Sequence, residues 1–264
     1  MEKKQKAERL AELRSTIDAI DEAVHRLLIQ RAEIIGELIE AKGISHNGAV
    51  FRPGREAEMM RRLQQRHQGA LPLTTIEHVW REIISAFTAI QSPYVVHADT
   101  GFDPVAVMDV VRFYFGFGVP VMGHRNARDV IRSVSQGENA LGVVPLAAAG
   151  AWWEELGEKS ATAIMALLPF FEMEKREAAL PCVVISPPLA DPVPFEVQVH
   201  ALRLACDAPL EKILGDMGIL AHAVTSRGLS VLAAGKIPAL ASTVALDSRP
   251  VGGYFPPVRV VDRE

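Results

Sequence analysis

The chain of 264 residues has little cysteine, no long uninterrupted apolar run and no strong excess of charge of either sign. Only Cys182 and Cys206 occur, with no CxxC, so no disulfide framework or cysteine metal site is expected; they read as two buried thiols of a reduced, cytosolic protein. The longest nearly apolar run, residues 140–153, is 14 long and is broken by Gly142, Pro145 and Gly150, too short to span a bilayer. The basic opening Lys3, Lys4, Lys6 leads into an amphipathic pattern instead of an apolar stretch, so no signal peptide is expected. The net charge of −4 divides into +1 over residues 1–91 and −5 over the rest, and neither part has the basic excess that nucleic acid demands of its ligands. The 8 histidines are scattered without ligand spacing, so no metal and no cofactor are expected. What is present is ordinary globular material, 49% apolar and 23% charged, enough to bury a core without staples and long enough for two domains.

The first third reads as helical. Apolar residues recur at Leu10, Leu13, Ile17, Ile20, Val24, Leu27, Leu28, Ile34, Ile35, Leu38 and Ile39, in steps of three and four. The pattern predicts an amphipathic helix of roughly 45 Å that stops at Gly43, before a polar turn at Ser45-His46-Asn47-Gly48. Arg52-Pro53-Gly54 opens a second helix with Met59, Met60 and Leu63 on its apolar side, ended by Gly69 and Pro72. A third helix, capped by Thr74 or Thr75 and with Glu77 placed to suit its dipole, carries Ile76, Val79, Trp80, Ile83, Ile84, Phe87 and Ile90 up to Pro93. One long and two short helices leave much of the long stripe exposed, so a second copy is expected to cover it in an intertwined homodimer.

The residues that interrupt the stripe are the informative ones. Arg31 stands where the period calls for a hydrophobe, and Lys42 follows eleven residues later, three turns plus about 20°, on the same face. Arg14 lies at the edge of that face, Arg55-Glu56 opens the second helix, and Gln91 closes the third one turn after Phe87. Taken singly, each is accounted for by a snorkelling stem or a salt bridge. Taken together, several inward cations with one carboxylate and one amide lack enough acids to pair them, and a small dicarboxylate held by guanidinium forks is the simplest missing partner.

These residues carry a resemblance. Leu13-Arg14-x-x-Ile17-Asp18-x-Ile20-Asp21, then Leu27-Leu28-x-x-Arg31, Lys42, Arg55-Glu56, Trp80-Arg81-Glu82-Ile83-Ile84-Ser85-Ala86 and Gln91 are similar to the all-helical chorismate mutases, a class often fused to prephenate dehydratase. The likeness covers residues 8–92 and implies the pericyclic rearrangement of chorismate to prephenate, in phenylalanine and tyrosine biosynthesis. That reaction needs no nucleophile, proton shuttle or metal, which agrees with the lack of HExxH, GxSxG and a Cys–His pair. Catalysis then consists of holding a folded dianion and stabilising charge as the ether bond breaks. By the resemblance, Arg14 (reaching from the partner subunit) and Arg31 hold the two carboxylates, and Lys42 and Gln91 donate to the ether oxygen. Glu56 accepts from the ring hydroxyl, and Arg55 organises that wall. Two positions depart from the pattern: Arg52 stands where relatives often place an acid, and Phe87 where some carry a small hydroxyl residue.

From residue 93 the pattern changes. Short β-prone runs at 95–97, 140–144, 182–185, 197–199 and 239–241 alternate with helical stretches at 105–113, 127–135, 160–168, 209–217 and 229–234, which predicts an α/β domain with a largely parallel sheet. The segments 129–145 and 225–242 resemble prephenate dehydratase, a two-lobed relative of periplasmic binding proteins. The expected fold class is thus a three-helix mutase domain over 1–92, followed by an α/β periplasmic-binding-like lobe over 93–264. That family's catalytic Thr-Arg-Phe is missing, and Leu146-Ala-Ala-Ala-Gly150 replaces a polar turn after Val-Val-Pro, so the second domain is expected to lack dehydratase activity and to be regulatory or structural. Gly116-Phe-Gly118 lacks a third glycine and reads as a turn, His124-Arg125-Asn126 as a loop or helix cap, and Trp152-Trp153 as packing. Ser248-Arg249-Pro250 resembles a tripeptide of phenylalanine-binding regulatory domains, but no βαββαβ pattern is read around it, so the likeness is taken as accidental.

Three other functions compete. An isochorismate pyruvate lyase shares the helical scaffold and a cationic pocket. A small-acid sensor would use the helical domain as a dimeriser. A nucleic-acid binder would use Arg61, Arg62, Arg66 and Arg81, against a net charge of only +1 in that part. The set Arg14, Arg31, Lys42, Glu56 and Gln91 favours the mutase, with chorismate as partner and no nucleic acid or membrane.

Overall fold

The computed structural model describes residues 2–42, 51–137, 139–158, 160–189, 194–205 and 209–260. The expected turn at 45–48 and Cys206 lie outside them. The chain divides into two compact units, residues 1–45 and 46–264.

The first unit is helix α1 (Glu2–Lys42), which starts eight residues before the apolar period does. The added turns are Glu, Lys, Gln, Ala and Arg, good helix formers that need no buried face. Charged pairs a turn apart, such as Arg9–Glu12 at 3.1 Å, occur along it. The expected stripe is present and open: Leu10, Leu13, Ile17, Ile20, Val24, Leu27 and Ile34 are each 44–64% exposed.

The second unit begins with α2 (Pro53–Arg66) and α3 (Leu73–Gln91). Pro53 occupies the first turn of α2, where its missing N–H costs nothing. Pro72, not Thr74 or Thr75, holds the cap position of α3, and Thr74 is buried. Both helices share one core with the α/β elements that follow: Ala57, Met60, Leu63, Leu73 and Ile84 cluster with Val96, Val107, Val110, Val143 and Val184. Arg61 adds a forked pair to Glu196, at 2.6 and 3.1 Å. The break expected after residue 92 is therefore not where the compact units divide, because the apolar faces of α2 and α3 are buried on α/β elements of their own unit.

Then come β1 (Val95–Asp99), α4 (Pro104–Phe115), β2 (Val121–His124), α5 (Ala127–Gln136) and β3 (Ala140–Pro145). Asp103 accepts from the N–H groups of Val105 and Ala106 to start α4, and Asn126 accepts from Asp129 N–H to start α5. Next are a 3-10 turn (Trp152–Glu155), β4 (Ala163–Leu168), β5 (Phe171–Glu172), β6 (Cys182–Ser186) and β7 (Val197–Leu204). The chain continues through α6 (Leu210–Leu214), β8 (Gly218–Thr225), β9 (Gly228–Ala234), α7 (Ala239–Val244), β10 (Asp247–Tyr254) and β11 (Val258–Arg259). Among the described residues nine strands form one sheet in the order β2-β1-β3-β6-β4-β10-β7-β9-β8, and β11 pairs with β5.

The sheet is mixed, not largely parallel. Only β2, β1 and β3 form a parallel block; β6 runs antiparallel to both β3 and β4, and β7 to β10 pair antiparallel save for one parallel contact of β10 with β4. Three expected elements change type. Residues 160–168 and 229–234 read as helix from their Ala, Leu and Met content, yet they supply the buried strands β4 and β9; residues 239–241 read as strand and lie in α7. Burial on both faces of the sheet overrides helix propensity there.

With those assignments exchanged, a βαββαβ unit emerges, β7-α6-β8-β9-α7-β10, in the spatial order β10-β7-β9-β8. The pattern read as missing around Ser248-Arg249-Pro250 is present, with the tripeptide on its last strand. Pro250 is tolerated there because the register shifts between Pro250 and Gly252. Gly252, at φ +130°, joins β10 to β4; a Cβ on it would fall 2.1 Å from the Ile164 carbonyl oxygen.

Trp152 and Trp153 are buried edge to face, and Trp153 Nε1 donates to Ser230 Oγ at 3.0 Å, so the pair is packing as expected. Cys182 is buried on β6, and burial pushes its thiol up to about 12. Among the described residues no helix is long and apolar enough to cross a membrane, and no three His, Cys, Asp or Glu could hold a metal ion.

Candidate active site

Arg14 and Arg31 stand on α1, Arg14 exposed and Arg31 half-buried; Lys42 is its last residue, and its side chain lies outside the described residues. These three belong to the first unit.

In the second unit, Arg52, Arg55 and Glu56 sit at the start of α2. Arg52 occupies the cap position and its carbonyl accepts the Glu56 N–H at 3.0 Å. Arg55 is exposed, whereas the Glu56 side chain turns inward and is only 14% exposed. Arg81 of α3, itself 6% exposed, donates from Nη1 to Glu56 Oε2 at 2.7 Å. Burial raises the Glu56 carboxyl above its usual range, a shift that the Arg81 charge and hydrogen bond and the Arg52 backbone oppose. The carboxylate borders a small cavity shared with Phe51, Ser85, Tyr94, Tyr114 and Phe115. There Ser85 Oγ and Tyr94 Oη lie 2.7 Å apart, and Ser85 also donates to the Phe115 carbonyl.

Gln91 closes α3, half-buried, with Nε2 donating to the Phe87 carbonyl at 3.0 Å. Its second amide hydrogen is the one available to an acceptor outside the helix. Phe87 is buried, which accounts for an apolar residue there.

The sequence reading missed a network behind Glu56. Glu77, expected near the start of α3 to suit its dipole, is wholly buried and meets Arg176 Nη2 at 3.2 Å. Tyr114 of α4 donates to Glu77 Oε1 at 3.1 Å and accepts from Arg176 Nη2 and the Phe170 N–H, both at 3.0 Å. Arg176 also donates to the Phe171 carbonyl. The guanidinium carbons of Arg81 and Arg176 lie 5.1 and 5.9 Å from the Tyr114 ring centre. Burial raises the Glu77 carboxyl, opposed by Arg176 and then Arg81; burial and the Glu77 charge raise the Tyr114 phenol. The apolar period of α3 gives a hint of this, since Glu77 lies one turn before Arg81 and two before Ile84; nothing in the sequence points to Arg176.

A second acid, Glu154, holds the βαββαβ unit to the 3-10 turn. It pairs with Arg227 at 2.6 Å and Arg203 at 3.4 Å, and its carbonyl accepts from Arg249 at 2.6 Å. Burial pushes its carboxyl up, but the Ser230 hydrogen bond with Arg203 and Arg227 outweighs it and the net shift is downward. Arg249 of the Ser-Arg-Pro tripeptide is thus engaged in packing.

Comparison with known proteins agrees with the helical third. Residues 13–92 match the family model described as chorismate mutase type II, so the N-terminal part is a chorismate mutase domain by sequence. The chain is 37% identical over 83 residues to a bifunctional chorismate mutase/prephenate dehydratase of Neisseria gonorrhoeae, covering 31% of this chain and 22% of that protein. A protein of the same description from Aquifex aeolicus is 32% identical over 143 residues, 53% of this chain and 39% of its own length. That stretch is longer than the helical third, so part of it lies in the α/β part. The chain spans less than half the length of these curated relatives. Among solved structures, prephenate dehydratase from Streptococcus mutans is 13% identical over 64% of this chain and all of its own, at a TM-score of 0.40. The quorum-quenching acylase GqqA is 13% identical over 60% of this chain and 93% of its own, at 0.41.

Proposed function

We propose that this chain rearranges chorismate to prephenate, with residues 1–92 as the mutase domain and residues 93–264 as a regulatory or structural partner without dehydratase activity, in the cytoplasm. The match of residues 13–92 to the chorismate mutase type II model carries the reading, because every pocket residue from Arg14 to Gln91 falls inside it. In this mechanism Arg14 from a second copy and Arg31 fix the two carboxylates of the folded substrate. Lys42 and Gln91 donate to the ether oxygen as negative charge grows on it, Glu56 accepts from the ring hydroxyl, and Arg52 and Arg55 line the same wall. The catalytic effect is positioning plus charge stabilisation at one oxygen, with no covalent step on the protein.

The exposed stripe of α1 supports a homodimer. A Val, Leu or Ile side chain moved from water into an interface gains about 1.5–3 kcal/mol, and seven such residues lie along the stripe.

The test is incubation of the purified protein with chorismate at neutral pH, with products read by NMR and no acid step. Prephenate alone is the expected result. Phenylpyruvate would make the second domain a working dehydratase. Unchanged chorismate would overturn the mutase assignment in favour of isochorismate lysis or a small-acid sensor.

A further inference from the structure

The buried charges behind Glu56 form a connected set. Glu56 and Arg81 pair at 2.7 Å, Arg81 lies over the Tyr114 ring, and the Tyr114 hydroxyl joins Glu77 and Arg176, which pair at 3.2 Å. Two carboxylates and two guanidiniums balance in charge, and apart from Glu56 at 14% each side chain is almost wholly buried. Glu56, Glu77 and Arg81 stand on α2 and α3; Tyr114 and Arg176 come from the α/β part. Arg81 is thus held between the Glu56 carboxylate on one side and the Tyr114 ring on the other, with the Glu77 charge close by.

We propose that Arg81 and Tyr114 are positioning residues for Glu56: the α/β part, through Tyr114 and the Arg176–Glu77 pair behind it, holds the Arg81 fork that aims the Glu56 carboxylate at the substrate hydroxyl. This rests on the mutase reading given above. A carboxylate has about four acceptor positions, so gripping Arg81 through Oε2 leaves capacity for a substrate hydroxyl. The second domain is then part of the mutase site, which gives it a role without any reaction of its own.

The groups that face Glu56 are Arg81 from α3, the Arg52 backbone from its own segment, and Tyr94 ahead of β1, whose phenol senses both Glu56 and Glu82. Arg81 holds the Glu56 carboxyl down against burial, so removing the cation moves its titration to higher pH.

The experiment uses the full chain and chorismate, with wild type assayed first; an inactive wild type overturns the mutase reading and this inference with it. Given an active wild type, Arg81→Lys is expected to lower kcat between about tenfold and 10²-fold with little change in KM, the loss typical of a misplaced reacting geometry. Arg81→Gln is expected to move the acid limb of kcat/KM upward in pH. Tyr114→Phe, which keeps the ring and removes the hydroxyl that joins Arg176 and Glu77, is expected to lower kcat by a smaller factor. In a Glu56→Gln background each of these losses should shrink to less than about twofold, since groups that act through one residue are not additive. Equal losses in both backgrounds, or an unmoved acid limb, would overturn the positioning role while leaving the mutase reading intact. Should Arg81→Gln fail to fold, Arg81→Lys and Tyr114→Phe carry the comparison.

Discussion

His97 Nδ1 and His124 Nε2 lie 2.8 Å apart, on the neighbouring parallel strands β1 and β2, and share one hydrogen-bonding proton. Burial, followed by the His124 charge, depresses the His97 imidazole below its usual value. A histidine whose folded value is depressed stays neutral while the unfolded chain protonates. Stability is therefore expected to fall as pH drops from about 6.5 toward the lower folded value, and to level off below it. Thermal melts across pH 5–8 check this: His97→Gln should flatten the slope, and an unchanged slope would remove His97 as its source.

Arg176 and Glu77 make the deepest ion pair described, with side chains 2% and 0% exposed. Arg176→Met leaves a buried carboxylate with only the Tyr114 hydroxyl as donor, and should cost about 3–5 kcal/mol in urea unfolding. Replacing both, Arg176→Met with Glu77→Leu, should restore most of the loss, because two apolar side chains need no partner. A double variant as unstable as the single one would show that the pair acts through shape and not charge.

Lys42→Ala and Gln91→Ala are each expected to lower kcat for chorismate by at least about 10²-fold, the effect of removing a donor to a developing oxyanion. Steady-state kinetics on both variants decide it; near-normal turnover in both would refute the assigned pocket. Because Gln91 does not titrate, activity should change little between pH 6 and 8; a steep acid-favouring profile would count against its role.

Ile20→Asp and Val24→Asp place charge in the exposed stripe of α1, where the wild-type side chains are 56% and 51% exposed. Sedimentation equilibrium should show a dimer for wild type and a monomer for the variants, with mutase activity lost together with the dimer, since Arg14 serves the partner's pocket in this reading. A wild-type monomer would leave the stripe for another occupant.

The helices that carry the predicted pocket residues were legible because a period of three and four survives one or two misplaced polar residues. The same period placed Arg31 and Lys42 on one face of α1. Glu56 was legible by its place after Arg55, but its partner was not, since Arg81 lies 25 residues away on another helix. In the α/β part, residues 160–168 and 229–234 were misread because Ala, Leu and Met favour helix wherever burial does not decide otherwise. That error concealed the βαββαβ unit around Ser248-Arg249-Pro250.

Sequence by itself determined the local matters: the three helices, the absence of Thr-Arg-Phe, and β1, β3, β6 and β7, whose β-branched runs leave little choice. Tertiary structure alone decided that α2 and α3 share a core with the α/β elements, that β4 and β9 are strands, and that Tyr114 and Arg176 stand behind Glu56. The physical reason is range. Periodicity and propensity act over a few residues, whereas the pairing of a buried charge depends on which distant segments the core brings within about 3 Å of it.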